Sequence, residues 1–186
     1  YMQSTGFGLY PYQKEGVDWM LQKELQSKIP GVNVGLLCDE PGLGKTIQTC
    51  AIMHGNRNKF GNVKRTLLIV PQAVLFQWVD AITQIMPDTE VYVHQGTNRC
   101  RTVSELFNSN ITGNWRIAIT TFGLVCKRLR TSTKDLNKHR TILHEIVWDR
   151  IVIDEIHYIR NAGSKTAKLT CMLKAKHKWG LTGTPI

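Results

Sequence analysis

The sequence predicts an α/β fold with a mostly parallel central sheet flanked by helices. Three observations lead there. Short apolar runs recur along the 186 residues in the manner of strands buried on both faces. Amphipathic stretches of helical spacing separate them, the alternation that builds parallel sheets. A GKT segment lies directly between one such run and one such helix, beyond the strand's carboxyl end, where sheets of this kind hold their ligands.

The elements follow in order. Val17, Met20, Leu21 and Leu25 recur at helical spacing and predict a helix before the first strand, VGLLC (34–38). A second helix carries Ile47, Cys50 and Ala51, and LLIV (67–70) is the next strand. Val74, Leu75, Trp78, Val79, Ile82, Ile85 and Met86 form a wide apolar stripe. IAI (117–119) and IVI (151–153) are further strands, with VYV (91–93) and WGL (179–181) as shorter runs of the same kind. Leu169, Met172 and Leu173 make a narrow stripe between the last two strands. Turn-rich breaks fall at 55–62 and 108–114, and there is no internal repeat. The length predicts one domain with a substantial core.

Composition narrows the partners. Lys and Arg number 24 against 14 acidic residues, a net charge of +10 with a pI near 9.6. That balance favours a polyanion, most simply nucleic acid, although an anionic membrane or an acidic tail also fits. No apolar run approaches the roughly 18 residues of a membrane span; nucleic acid is preferred, and no membrane partner is expected. Cys38, Cys50, Cys100, Cys126 and Cys171 are scattered without a C-x-x-C, which argues against zinc and disulfides and suits a reducing compartment. Tyr1 and the closing Gly-Thr-Pro-Ile read as the cut ends of a piece of a longer protein.

The stretch CDEPGLGKTIQT (38–49) ends as a phosphate loop ends, in Gly44-Lys45-Thr46. The pattern G-x-x-x-x-G-K-[ST] puts its first glycine at position 39, which is Asp39. Such a loop works because consecutive backbone N–H groups converge on anionic oxygens at a helix N-terminus. Gly42 and Gly44 give the turn room, and only the glycines at this tight end must be small. Lys45 is placed to reach the β- and γ-phosphates and the Thr46 hydroxyl to ligate Mg²⁺. The bland alternative is an ordinary turn before a helix.

IVIDEIH (151–157) supplies the acidic partners at the end of a buried strand. Asp154 is the candidate Mg²⁺ ligand, and Glu155 the group that orients and deprotonates an attacking water. An acidic pair merely facing solvent is the alternative, and the GKT segment on the same fold argues against it. His157 is either a structural histidine or a link to a neighbouring strand-end motif. Neither Asn137-Lys138-His139-Arg140 nor Asn58-Lys59-Phe60-Gly61 completes the N-K-x-D guanine element, so a GTPase is disfavoured.

These motifs resemble the first RecA-like lobe of a Swi/Snf-type ATPase of helicase superfamily two, whose first motif usually reads D-E-M-G-[LM]-G-K-T-[IL]-Q. Asp39 through Gln48 keeps that order with Pro41 in place of Met, so Asp39 is the family's ordinary residue there. VPQAVLFQW (70–78) is similar to motif Ia, TTFGL (120–124) to motif Ib, DEIH (154–157) to motif II and LTGTPI (181–186) to motif III. LYPYQKEGVDWM (9–20) resembles the adenine-recognition element. KWGLTGTPI, the QW pair and IRNAGSKTAK (159–168) lean toward the branch with helicase-like transcription factor and related repair translocases.

The resemblance makes residues 1–186 one ATP-binding lobe, lacking the second RecA-like lobe. It implies that Gln13 reads the base edge and that Gly42, Leu43, Gly44, Lys45, Thr46 and Ile47 bind ATP. Mg²⁺ would sit on Thr46 and Asp154, with Lys45, Asp154 and Glu155 catalytic. His157, Thr182, Gly183 and Thr184 would couple the site to lobe motion. Duplex DNA is implied along Pro71, Gln77 and Trp78 on one edge and Thr120 and Thr121 on another. Trp78 has a competing role, since it shares the apolar stripe of Val74 and Ile82. The basic stretch 127–140 is either a solvated surface or a DNA contact. Ile156 replaces the family's usual Ala, and Gly123 stands where Glu is frequent.

The implied protein is a DNA-stimulated ATPase that tracks along duplex DNA without separating strands, in chromatin remodelling, repair or protein displacement. It would work in the nucleus, or at a site of viral DNA replication. The lobe alone is expected to bind nucleotide weakly and turn over little. A nucleotide-gated DNA-binding scaffold without turnover and a strand-separating helicase are the alternatives.

Overall fold

The computed structural model describes residues 8–26, 34–55, 64–97, 99–107, 115–126 and 135–184. The turn-rich stretch at 108–114, most of that at 55–62 and the basic residues 127–134 lie outside the described residues.

Six strands form one sheet: β1 (Val34–Leu37), β2 (Lys64–Val70), β3 (Glu90–Val93), β4 (Trp115–Thr121), β5 (Val147–Asp154) and β6 (Lys174–Leu181). Their order is β1-β6-β5-β2-β4-β3, and every neighbouring pair is parallel. Parallel neighbours need crossover connections. These run through α2 (Lys45–Gly55), α3 (Leu75–Ile85), α4 (Val103–Phe107), α5 (Phe122–Val125) and α6 (Lys165–Met172), while α1 (Pro11–Gln26) precedes β1 and packs on α2.

In the inner strands β2, β4 and β5 the apolar runs are continuous because both faces are covered; the edge strand β1 departs from that expectation, with Val34 66% and Leu36 50% exposed. Leu68, Val70, Val152 and Trp179 face a core shared with Val17 and Met20 of α1, Ile52 of α2 and Trp78 and Ile82 of α3. Their chain neighbours Leu67, Ile69, Ile151 and Ile153 face the other core, with Phe122, Leu143, Trp148 and Leu169. The strands outrun the apolar runs at their amino ends: β5 begins at Val147 and β6 at Lys174. The start of β6 is polar and largely outside the cores, while that of β5 interleaves the buried Trp148 with Asp149 and the buried Arg150, so no unbroken apolar run marks either.

The first helix departs from its expected stripe. Leu25 is 72% exposed, and the buried residue on that turn is Glu24, at 7%. Its carboxylate accepts from Arg150 Nε at 2.6 Å, Arg150 Nη2 at 2.5 Å and Trp179 Nε1 at 2.9 Å. Arg150 lies on β5 and Trp179 on β6, so a buried ion pair clamps α1 to the middle of the sheet. The Trp179 ring lies on Gly35 of β1, where an added Cβ would fall 1.9 Å from a ring carbon. Trp19 meets that ring edge-on at 5.4 Å.

Register places the site. Leu37, the last residue of β1, pairs with Leu181, and Asp154, the last of β5, pairs with the same residue. With strands about 4.8 Å apart, the ends of β1 and β5 lie about 10 Å from each other at one rim of the sheet.

Candidate functional site

The loop from Cys38 to Gly44 leaves β1 and runs into the amino end of α2. Gly42 has φ +89° with open space where a side chain would stand, and Gly44 has φ +83°. Both conformations favour glycine. At Gly42 the main chain is bare to an approaching anion, and α2 directs its first N–H groups the same way. Asp39 is not in the left-handed region, which explains why glycine is not required there. Its Oδ2 instead accepts from Gln48 Nε2 at 2.6 Å, latching the start of the loop to a buried side chain of α2.

Lys45 Nζ donates to the carbonyls of Asp39 at 2.7 Å and Glu40 at 3.2 Å, which hold the ammonium over the loop. Thr46 is half-buried in the first turn of α2, Ile47 half-buried beside Gly44, and Leu43 partly exposed. Gln13 is buried beneath the loop: its Nε2 donates to Leu43 O at 3.0 Å, and its Oε1 accepts from the Tyr10 N–H at 3.0 Å. A Cβ on Gly44 would fall 2.5 Å from Gln13 Nε2. The glutamine implied to read a base edge thus supports the phosphate loop here.

Across the rim, Asp154 Oδ1 accepts from the Glu155 N–H at 3.0 Å and Oδ2 from Trp78 Nε1 at 2.8 Å. Burial raises the Asp154 pKa above its ordinary value, and the neighbouring Glu155 charge adds to this. The Trp78 hydrogen bond and the Lys45 charge act the other way, so the ammonium and the carboxylate feel each other across the site. A partly desolvated carboxylate facing an ammonium suits a hard cation.

Glu155 has φ +50° and ψ +56°, the left-handed conformation, and is the one non-glycine residue with positive φ among the described residues. A backbone of that kind in a strand-end acidic motif is the strain associated with functional positions. Its Oε2 lies 3.1 Å from His157 Nδ1, which lies 3.4 Å from Thr182 Oγ1. The Thr182 N–H donates to Leu37 O at 3.1 Å, and the Thr182 hydroxyl accepts from the Thr184 N–H at 3.2 Å. Gly183 abuts Pro41, whose ring atoms would stand 2.8 Å from an added Cβ. Residues of three chain segments therefore close on one another: Pro41 of the loop, Glu155 and His157, and Thr182 to Thr184.

The residues implied to lie along DNA divide. Pro71 is half-buried and Gln77 exposed at the start of α3. Trp78, Thr120 and Thr121 are buried, at 4%, 0% and 5% exposure. Trp78 points inward from α3 to Asp154. The two threonines end β4, an interior strand between β2 and β3, and the Thr120 hydroxyl donates to His94 O at 3.1 Å. Sequence reasoning also missed the Asp39–Gln48 latch. A buried polar residue on the first turn after GKT was its one signal.

Comparison with known proteins agrees with this geometry. A model of the SNF2-related domain matches residues 12–186. An uncharacterised ATP-dependent helicase of Schizosaccharomyces pombe is 31% identical, covering 99% of this chain and 18% of its own length. The DNA repair protein RAD5 of Yarrowia lipolytica is 33% identical, covering 82% of this chain and 15% of its own. The SWI2/SNF2 ATPase core of Sulfolobus solfataricus in complex with dsDNA superposes with a TM-score of 0.70 at 27% identity, over 96% of this chain and 32% of that one. The chain spans less than a fifth of these curated relatives and about a third of the solved core. Its parallel six-stranded sheet is the RecA-like fold of that core's first lobe. The fold is that of the first lobe of a SWI2/SNF2 ATPase core of helicase superfamily two, and the chain belongs to the SNF2-related family.

Proposed function

We propose that this lobe binds Mg·ATP and supplies the hydrolytic half of a DNA-stimulated ATPase that moves along duplex DNA without separating its strands. The observation that supports the reading is that β1, which leads into the Lys45 loop, and β5, which ends in Asp154, finish at one rim of the sheet, where the Lys45 and Glu155 charges both act on Asp154. The N–H groups from Gly42 to Thr46 bind the phosphates, and Lys45 exchanges its loop carbonyls for phosphate oxygens. Thr46 and Asp154 would hold Mg²⁺, which would supply charge neutralisation at the phosphates. Glu155 orients the attacking water and takes its proton, steadied by His157. On binding, the Gln13 amide turns its unused hydrogen-bonding capacity toward the base.

Arginines of a second lobe complete transition-state stabilisation, so this lobe alone turns over little. The DNA track passes Pro71 and Gln77 and is favoured by the net charge of +10. Backbone phosphates are the contacts, so sequence preference is weak. The relative named for DNA repair supports work on DNA, which the reading places in the nucleus, on chromatin or on a DNA-bound protein.

The test uses a chain carrying both lobes. Glu155→Gln should cut DNA-stimulated turnover by roughly 10²–10⁴-fold with nucleotide affinity retained. Lys45→Ala should weaken binding by about 1.5–3 kcal/mol. Ordinary turnover in both variants would remove the site assignment, and displacement of a strand from a forked duplex would contradict translocation without unwinding.

A further inference from the structure

The buried indole of Trp78 has one polar atom, and it is spent on the site. Nε1–H is a donor only; it lies 2.8 Å from Asp154 Oδ2, across 76 positions of chain. The other carboxylate oxygen, Oδ1, takes the Glu155 N–H. One donor on each oxygen fixes the rotation of the carboxylate, and the two donors come from different elements, α3 and the end of β5. A core residue needed only for volume does not require an indole aimed at a half-buried carboxylate, since leucine or phenylalanine fills apolar space without a donor to satisfy.

We propose that Trp78 is a positioning residue for the metal-binding carboxylate: its indole N–H sets the Asp154 side chain in the orientation that takes Mg²⁺. This rests on the reading of Asp154 as the Mg²⁺ ligand. Carboxylates that ligate metals are themselves held by hydrogen bonds, and removal of such a partner weakens metal affinity by roughly 10–100-fold. The device also joins two functions on one turn of helix, because Gln77, the neighbour of Trp78, faces outward at the proposed DNA edge. A shift of α3 on DNA would reach the metal through a single hydrogen bond.

Trp78→Phe keeps a flat ring in the core and deletes the donor. Calorimetric titration with ADP, once in EDTA and once in millimolar Mg²⁺, gives the affinity gained from the metal. The gain should fall about 10-fold in Trp78→Phe, with affinity in EDTA unchanged within about twofold. Asp154→Asn should lose the gain as well, and Trp78→Phe should add nothing to it. An unchanged gain in Trp78→Phe, or an equal loss with and without Mg²⁺, would mark Trp78 as packing alone and end the proposal. An unchanged gain in Asp154→Asn would instead overturn the ligand reading on which it rests. Should Trp78→Phe fail to fold, the unsubstituted protein decides. With ADP bound, Mg²⁺ should move one indole N–H resonance, the same one displaced by Asp154→Asn; if that resonance stays unmoved, the proposal is refuted.

Discussion

Removing the carboxylate of Glu24 tests the clamp between α1 and the sheet. Arg150 and Glu24 side chains are each 1% exposed, and three donors converge on the carboxylate at 2.5–2.9 Å. In Glu24→Ala the guanidinium keeps, among the described residues, only long contacts to Thr66 Oγ1 at 3.5 Å and Ile52 O at 3.4 Å, and the Trp179 N–H loses this acceptor. Stranding one member of a buried ion pair costs about 3–5 kcal/mol. Against a total of about 5–15 kcal/mol this is a large fraction. Urea unfolding reads it directly: with a slope of about 2 kcal/mol per molar, the midpoint should fall by about 1.5–2.5 M. The pair itself adds little net stability over apolar neighbours, because burying two charges nearly cancels their attraction. Glu24→Leu combined with Arg150→Met should therefore regain most of the loss. A cost under about 1 kcal/mol for Glu24→Ala, or a double variant as damaged as the single one, would refute this reasoning.

Two further outcomes follow from packing and titration. Gly180 lies under Ile156, and an added Cβ would stand 2.4 Å from Ile156 Cδ1 and 2.7 Å from Leu36 Cδ2; Gly180→Ala should cost about 1–3 kcal/mol, and Ile156→Ala in the same chain should return part of it in a thermal melt. Burial pushes the His94 imidazole from 6.5 down to about 4, with the Arg99 charge acting in the same direction. The unfolded chain then binds the proton more readily, so stability falls as pH drops through 6.5 toward 4. Between pH 7 and pH 5 His94 should account for about 2 kcal/mol of lost stability, absent in His94→Asn when the two are compared by urea unfolding.

The parallel sheet was legible because burial on both faces writes strands as unbroken apolar runs, and GKT and DEIH stand at strand ends that the alternation locates. What could not be read was which polar side chains turn inward. Glu24 sits among Lys23 and Gln26, where helical periodicity reads as a wet face; its partners are 126 and 155 positions away and are set by the sheet order alone. Trp78 fits an apolar stripe and a DNA motif equally well, and only the neighbouring strand end tells its N–H where to go. Thr120 and Thr121 belong to a motif read as a surface, yet their side chains are buried, and Thr120 donates to the carbonyl of His94 just past β3. Ile156 stands where the resemblance expects Ala, and the bare Gly180 beneath it leaves the room that the larger side chain fills.

The left-handed turn at Glu155 has a consequence for how such a chain ages under selection. A side chain in that conformation costs about 1–2 kcal/mol that glycine would not incur. Mutational drift favouring heat resistance alone would pull this position toward the smallest residue, and the proposed proton acceptor would vanish with the strain. A thermally hardened library of this lobe would thus enrich for silent motors at residue 155.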